Sequence, residues 1–193
     1  MSEYYEAHPM RMPRIPISLA GFPASGHDAV AVTLASLTGL RHANVLQLLE
    51  HEVGMDAAAV YARFGETYFQ TLEFDCVRSA LSERPPGIVA LGDRALLDPD
   101  LREHVVTHSA LVHIHVAPGA LLKRIRAQLD GNPTRLLPTL RGSMDADDIA
   151  ALLKERQSGY DQAMIQVDGT DRSAHEVARE IIGHFALWDD GPR

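Results

Sequence analysis

The chain has 193 residues, 46% hydrophobic and 23% charged, the profile of one ordinary globular domain with enough apolar mass for a real core. A formal net charge of −8 argues against nucleic acid and anionic membrane as main partners, since both reward a positive surface. Its single cysteine, Cys76, excludes an internal disulfide and fits a reducing cytoplasm, and no run approaches the roughly 18 apolar residues of a membrane span.

Residues 1–13 are polar, lack an apolar signal core and read as a disordered tail. Residues 14–188 are expected to form a single domain, and 189–193 a frayed end. The first strand is expected over 15–20 (IPISLA), where Pro16 is tolerated at a strand start. Residues 28–38 suit a helix that Gly39 ends, and a short extended piece follows at 41–44. LLEHEVG reads as helical with Gly54 as its stop, and Asp56 is placed to cap DAAAVYARFG. A long helix over 66–83 puts Phe69, Leu72, Cys76, Ser79 and Ala80 on one stripe. Pro85-Pro86-Gly87 is firm punctuation.

Residues 88–91 (IVAL) and 110–116 (ALVHIHV) are apolar runs of buried-strand length, and Pro118 suits the first turn of a helix. Residues 130–143 hold two prolines, two glycines and two arginines and read as a mobile loop. A helix over 145–159 with Asp145 as N-cap, a strand over 164–168 and a final amphipathic helix capped by Ser173 complete the chain. Strands alternating with helices predict an α/β fold with about five parallel strands covered on both faces. In such sheets ligands bind beyond the carboxyl ends of the strands.

GFPASGHD, residues 21–28, sits at such an end, between a strand and a helix. Gly21 and Gly26 have the spacing of a phosphate-binding P-loop, in which backbone N–H groups and a helix N-terminus converge on an anion. The lysine position holds His27, shorter and mostly neutral near pH 7, and the hydroxyl position holds Asp28. Asp28 adds a negative charge beside an already anionic ligand, and is expected to act as helix N-cap rather than as a Mg²⁺ ligand.

The order and spacing of these pieces resemble the shikimate kinase family over roughly residues 14–186. GFPASGHDAVAVTLASLTGL is similar to its P-loop, helix and LA..LG segment, LLEHEVG to IE...G, and FGETYFQTLE to GE..FR..E with Gly65, Glu66, Phe69 and Glu73 in place. VALGDR resembles the strand leading to its triple glycine, NPTRLL its arginine-bearing lid, and KERQSGYDQA its R.PLY...A segment with Arg156, Tyr160 and Ala163 matching. The resemblance implies a P-loop NTPase-type three-layer α/β/α sandwich with a mobile lid. It implies nucleotide contacts from Gly21, Ala24, Ser25, Gly26, His27, Asp28 and Arg135, and a substrate pocket from Leu46, Gln70, Gly92, Arg94 and Arg156.

Departures from the family pattern fall on the chemistry. Asn44-Val45-Leu46 stands at the family's D-S-D, Gln70 at a substrate-carboxylate arginine, and Gly92-Asp93-Arg94 at the triple glycine. Lysine, metal hydroxyl and metal aspartate are all replaced, and one such electrostatic contact is commonly worth about 3–4 kcal/mol in the transition state. The expectation is therefore a ligand-binding or regulatory module without shikimate phosphorylation, taking an anionic small molecule such as a nucleotide or a CoA thioester. The alternative is an active ATP- and Mg²⁺-dependent kinase for shikimate or another acceptor. A homodimer or partner protein is compatible with either. No helix-turn-helix is read, so DNA binding would need a partner chain.

Other features have plainer readings. Cys76 reads as a small buried hydrophobe. His113 and His115 alternate on one strand face near His104 and His108, without a recognised metal-ligand spacing. Tyr4, Tyr5 and Phe22 read as tail or core packing, Glu73 as a solvated helix residue, and KRIRAQ (123–128) as an exposed basic face.

Overall fold

A computed structural model describes residues 13–131 and 145–187, with side chains omitted at 129–131. Five strands, β1 (Ile17–Gly21), β2 (His42–Asn44), β3 (Ile88–Ala90), β4 (Ala110–His115) and β5 (Ile165–Asp168), form one parallel sheet in the order β2-β3-β1-β4-β5. Central β1 pairs Ile17 with Ile88 on one side and Ala110 on the other. Its five residues are all buried, because helices cover both faces and leave no wet side to alternate toward.

Among the described residues the α-helices are α1 (His27–Thr38), α2 (Val45–Val53), α3 (Ala57–Phe64), α4 (Glu66–Ser82), α5 (Pro99–His108), α6 (Pro118–Gly131), α7 (Ala146–Tyr160) and α8 (Ala174–His184). One sheet face packs Leu19, Ala90, Val112 and Val167 against Leu34 of α1 and Val177 and Ile181 of α8. The other packs Ala20, Val89 and Leu111 against Leu49 of α2, Val60 of α3, Phe69 and Val77 of α4 and Val105 of α5. A smaller cluster of Phe22, Leu121, Ile125 and Ile149 joins α6 and α7 to the loop after β1.

Most boundaries follow local chemistry. Gly39 and Gly54 end α1 and α2 in the left-handed region that favours glycine. Asp56 caps α3 at 2.8 Å, and Asp145 and Ser173 build full capping boxes on α7 and α8. Two features differ from the sequence reading. An additional helix, α5, begins where Asp98 accepts the Leu101 N–H at 2.8 Å and Pro99 fills the first turn. And α1 starts at His27, with Gly26 at φ 86° as its N-cap and no side-chain cap.

Candidate functional site

The loop between β1 and α1 turns on two glycines with different reasons. A Cβ at Gly21 would lie 2.2 Å from Ser25 Oγ and 3.2 Å from His27 Nδ1, so both side chains fold back over a backbone that must be bare. Gly26 takes the left-handed turn that aims α1. Ala24 also sits at φ 64°, a strained conformation for a residue with a Cβ.

His27 is 6% exposed and locked at both ring nitrogens. Nε2 lies 3.1 Å from the Leu91 carbonyl, which only accepts, so Nε2 donates; Nδ1 then accepts from the Ser25 hydroxyl at 2.9 Å. An imidazole held this way reaches from the loop to the end of β3 and has no donor left for a ligand.

Asp28 does not cap α1, contrary to the sequence expectation. It occupies the first turn, its side chain is 56% exposed, and it accepts from Asn44 Nδ2 at 2.8 Å. Asn44 uses its other side-chain atom, Oδ1, to accept the Gln47 N–H at 3.0 Å and cap α2. One amide thus ties the first turn of α1 to the start of α2. The N-terminus of α1 stays uncapped because Gly26 brings no side-chain acceptor and the neighbouring carboxylate is engaged elsewhere.

Arg124 of α6 holds the loop from behind. Its guanidinium donates to the carbonyls of Ser25 at 3.0 Å and Gly169 at 2.9 Å, with a longer contact to Ala24 at 3.4 Å. Sequence reading put it on an exposed basic face. The signal lay in its position, directly before buried Ile125 and three residues after buried Leu121.

Beside the loop, between α3, α4 and the end of β3, a small cleft is lined by Tyr61, Phe69, Gln70, Glu73, Arg94 and Asp98. Leu46 does not line the cleft; its side chain lies near Gly92, where a Cβ would come within 3.6 Å of it. Arg94 donates to Glu66 Oε1 at 2.8 Å. Glu73, expected in solvent, is 3% exposed. A Cβ at Gly92 would lie 2.0 Å from its Oε1, so the glycine gives the carboxyl its space. Burial pushes the Glu73 carboxyl up to about 8, helped by Asp93 and opposed by Arg94.

Behind the cleft lies a buried polar group. Arg156 is 2% exposed; it donates to the Leu152 carbonyl at 2.9 Å, and its guanidinium lies 5.2 Å from the centre of the Phe22 ring. Asp93 Oδ2 and the Tyr160 hydroxyl are enclosed without partners among the described residues. Burial raises both groups above their ordinary values, Asp93 against the pull of Arg156 and His27. His113 is stacked on Tyr160 with ring centres 4.0 Å apart and faces Gln166 Oε1 at 3.0 Å. Burial lowers it to about 4.

The structure thus brings together Gly21, Ala24, Ser25, Gly26, His27, Asp28 and Asn44 at the loop, and Gln70 and Arg94 at the cleft, with Gly92 set against Glu73 and Leu46. Arg156 is turned inward between them. Arg135 and the expected lid lie outside the described residues, as do Tyr4 and Tyr5. His104 and His108 stack on each other along α5, with His104 also packed on Phe74. Among the described residues, no three His, Cys, Asp or Glu side chains gather closely enough to hold a metal ion, and no helix is long and apolar enough to cross a membrane.

A sequence model described as shikimate kinase matches residues 23–186 of the chain. A shikimate kinase of Mycobacterium avium is 31% identical over 172 residues, 89% of this chain and 93% of that protein. One from Geobacter metallireducens is 28% identical over 169 residues, 88% and 90% of the two chains. The crystallised shikimate kinase from Acinetobacter baumannii in complex with shikimate superposes with a TM-score of 0.80 at 21% identity, covering 91% of this chain and 94% of that one.

Proposed function

The chain belongs to the shikimate kinase family, and from that premise we propose that it binds a phosphate-bearing small molecule at the β1–α1 loop without phosphorylating shikimate at a family-like rate. The single observation that carries this is the state of His27. Where the family resemblance places a lysine, a buried imidazole spends both nitrogens on Ser25 and Leu91. Charge on a transferring phosphoryl group has no mobile ammonium to meet it.

Two groups that the family resemblance implies fare differently here. An anion fits at the start of α1, where Gly26 turns the chain and no side-chain cap occupies the helix N-terminus. Mg²⁺ in its family role does not fit. Asp28 stands where a hydroxyl is expected, its carboxylate already accepts from Asn44, and Asn44 itself replaces the expected aspartate.

A side-by-side coupled assay with ATP, Mg²⁺ and shikimate tests the reading. Turnover is expected at least about 10²-fold below that of the Mycobacterium avium relative, the usual cost of losing one such contact. Comparable turnover would refute it. In parallel, His27→Lys with Asp28→Ser is expected to tighten ATP binding; unchanged affinity would mean that the loop is not a phosphate site. The acidic, single-cysteine composition supports placing the protein in the cytoplasm.

A second reading, a kinase acting on an acceptor other than shikimate, is favoured by one observation. The cleft beside the loop is rebuilt rather than collapsed: Gly92 still leaves room for Glu73, and Gln70 and Arg94 line the opening.

A further inference from the structure

The rebuilt cleft has an electrostatic character of its own. Three carboxyl groups line it, those of Glu66, Glu73 and Asp98, against one guanidinium, that of Arg94. Arg94 is committed to Glu66 at 2.8 Å. Arg156, which the family resemblance assigns to the substrate pocket, is 2% exposed and engaged with a carbonyl and a phenyl ring. Position 70, on the wall of the cleft, carries an uncharged amide.

A ligand carboxylate entering here would shed water without gaining a cation, and would lie near like charges. Glu73 has the opposite need. It is nearly fully buried, it lines the cleft, and neither carboxyl oxygen has a hydrogen-bond partner among the described residues. Its carboxyl faces the cleft, so a donor-bearing ligand can supply the partner that the protein does not.

We propose that this cleft binds a small hydroxylated amine, a cationic counterpart of a hydroxy acid, and that Glu73 anchors its ammonium while Gln70 and Asp98 accept from its hydroxyls. The inference rests on the reading that the chain keeps a ligand-binding cleft while having lost shikimate phosphorylation. Glu73 holds a proton in the empty cleft at neutral pH. When an ammonium docks, that proton leaves to solvent, so binding releases a proton as well as heat.

Isothermal titration in two buffers of different ionisation enthalpy tests this, with valienamine, an aminocyclitol, and shikimate as the probes. Valienamine is expected to bind at least tenfold more tightly than shikimate and to release a proton at pH 7. Glu73→Gln is expected to weaken valienamine at least tenfold and abolish the proton release, with folding checked by circular dichroism. Gln70→Arg is expected to shift the preference toward shikimate. Equal or tighter binding of shikimate by the native protein overturns the inference, as does valienamine binding indifferent to Glu73→Gln, or no binding of either probe at millimolar concentration. Family-like shikimate turnover would sink the reading beneath it, whereas tight shikimate binding without turnover sinks the inference alone.

Discussion

The two faces of the sheet are built on different terms. The α1–α8 face is largely apolar: Leu19, Val112, Ile114 and Val167 meet Val30, Leu34, Val177 and Ile181, and at its β2 edge it also takes His42, which shares the Ile88 side of the sheet and whose Nε2 is enclosed without a partner among the described residues. The α4–α5–α7 face has an apolar floor, but toward the carboxyl ends of its strands it also buries Glu73, Asp93, Arg156, His113 and Tyr160. Burying a charge or an unmatched polar atom costs free energy that apolar packing does not. A fold that concentrates most of that cost on one face, beside its strand ends, keeps there the groups that the proposed ligand site would use. The plainer face holds the sheet together.

Removing one of these costs, that of the Glu73 carboxyl, breaks the comparison most visibly. The Glu73 carboxyl is raised from 4.5 to about 8 in the folded protein. The folded state therefore holds this proton more tightly than the unfolded chain. Its stability is full below the unfolded value and falls as pH rises from about 4.5 to 8. Glu73→Gln abolishes this decline. Thermal and urea unfolding at pH 9 are expected to show the variant more stable than the native protein, with a ceiling on the order of 5 kcal/mol, and the two nearly equal at pH 5. A native stability curve flat between pH 5 and 9 would show that Glu73 is ionised and solvated.

On the apolar face the effect reverses sign and loses its pH dependence. Leu34 is fully buried between β-strand and α8 side chains. Leu34→Ala is expected to destabilise by about 3 kcal/mol at every pH, through lost transfer energy plus a residual cavity. Urea midpoints at pH 5 and pH 9 check it; a loss that varies with pH would tie this face to the ionisable groups across the sheet.

What sequence reading captured follows the same division. Alternation, glycine stops and capping residues act locally, so the five strands and the helices ended by Gly39 and Gly54 were legible, as were the caps at Asp56, Asp145 and Ser173. The helix α5 was missed although Asp98-Pro99 carried its start signal. Glu73 was misjudged by residue type: it lies four residues from both Phe69 and Val77, on the stripe that the sequence itself marks as buried. Asp28 could not be placed from sequence, because its partner Asn44 comes from another element, and a local preference for capping lost to that contact. Arg124 was lost for the same reason, since the carbonyls it ties belong to loops about 100 and 45 residues away in the chain. Geometry across elements is what one chain read alone does not display.

A milder acid sensitivity should come from His113. Its value is lowered from 6.5 to about 4 by burial against Tyr160, so it stays neutral in the folded state while the unfolded chain takes up a proton. That contribution is complete above pH 6.5 and is lost as pH falls toward 4. His113→Phe keeps a ring against Tyr160 and removes the titration. Between pH 7 and pH 4.5 the native protein is expected to lose roughly 2.5 kcal/mol relative to the variant, read from paired unfolding curves. Parallel curves would place the acid sensitivity elsewhere on that face.

The smallest expected effect separates strain from packing at the loop itself. Ala24 adopts φ 64°, a conformation in which a Cβ crowds the backbone, and the Arg124 guanidinium reaches the adjacent carbonyls. That shape is the path the chain takes to bring Gly26 and α1 round the end of β1. Ala24→Gly relieves the strain but adds freedom to the unfolded chain, and the two partly cancel. A net gain of about 0.5 kcal/mol is expected, with phosphate-ligand affinity unchanged because the loop path is the same. A loss of stability would mean that the Ala24 methyl, which packs beside Phe22 and Ile125, contributes more than its backbone conformation costs.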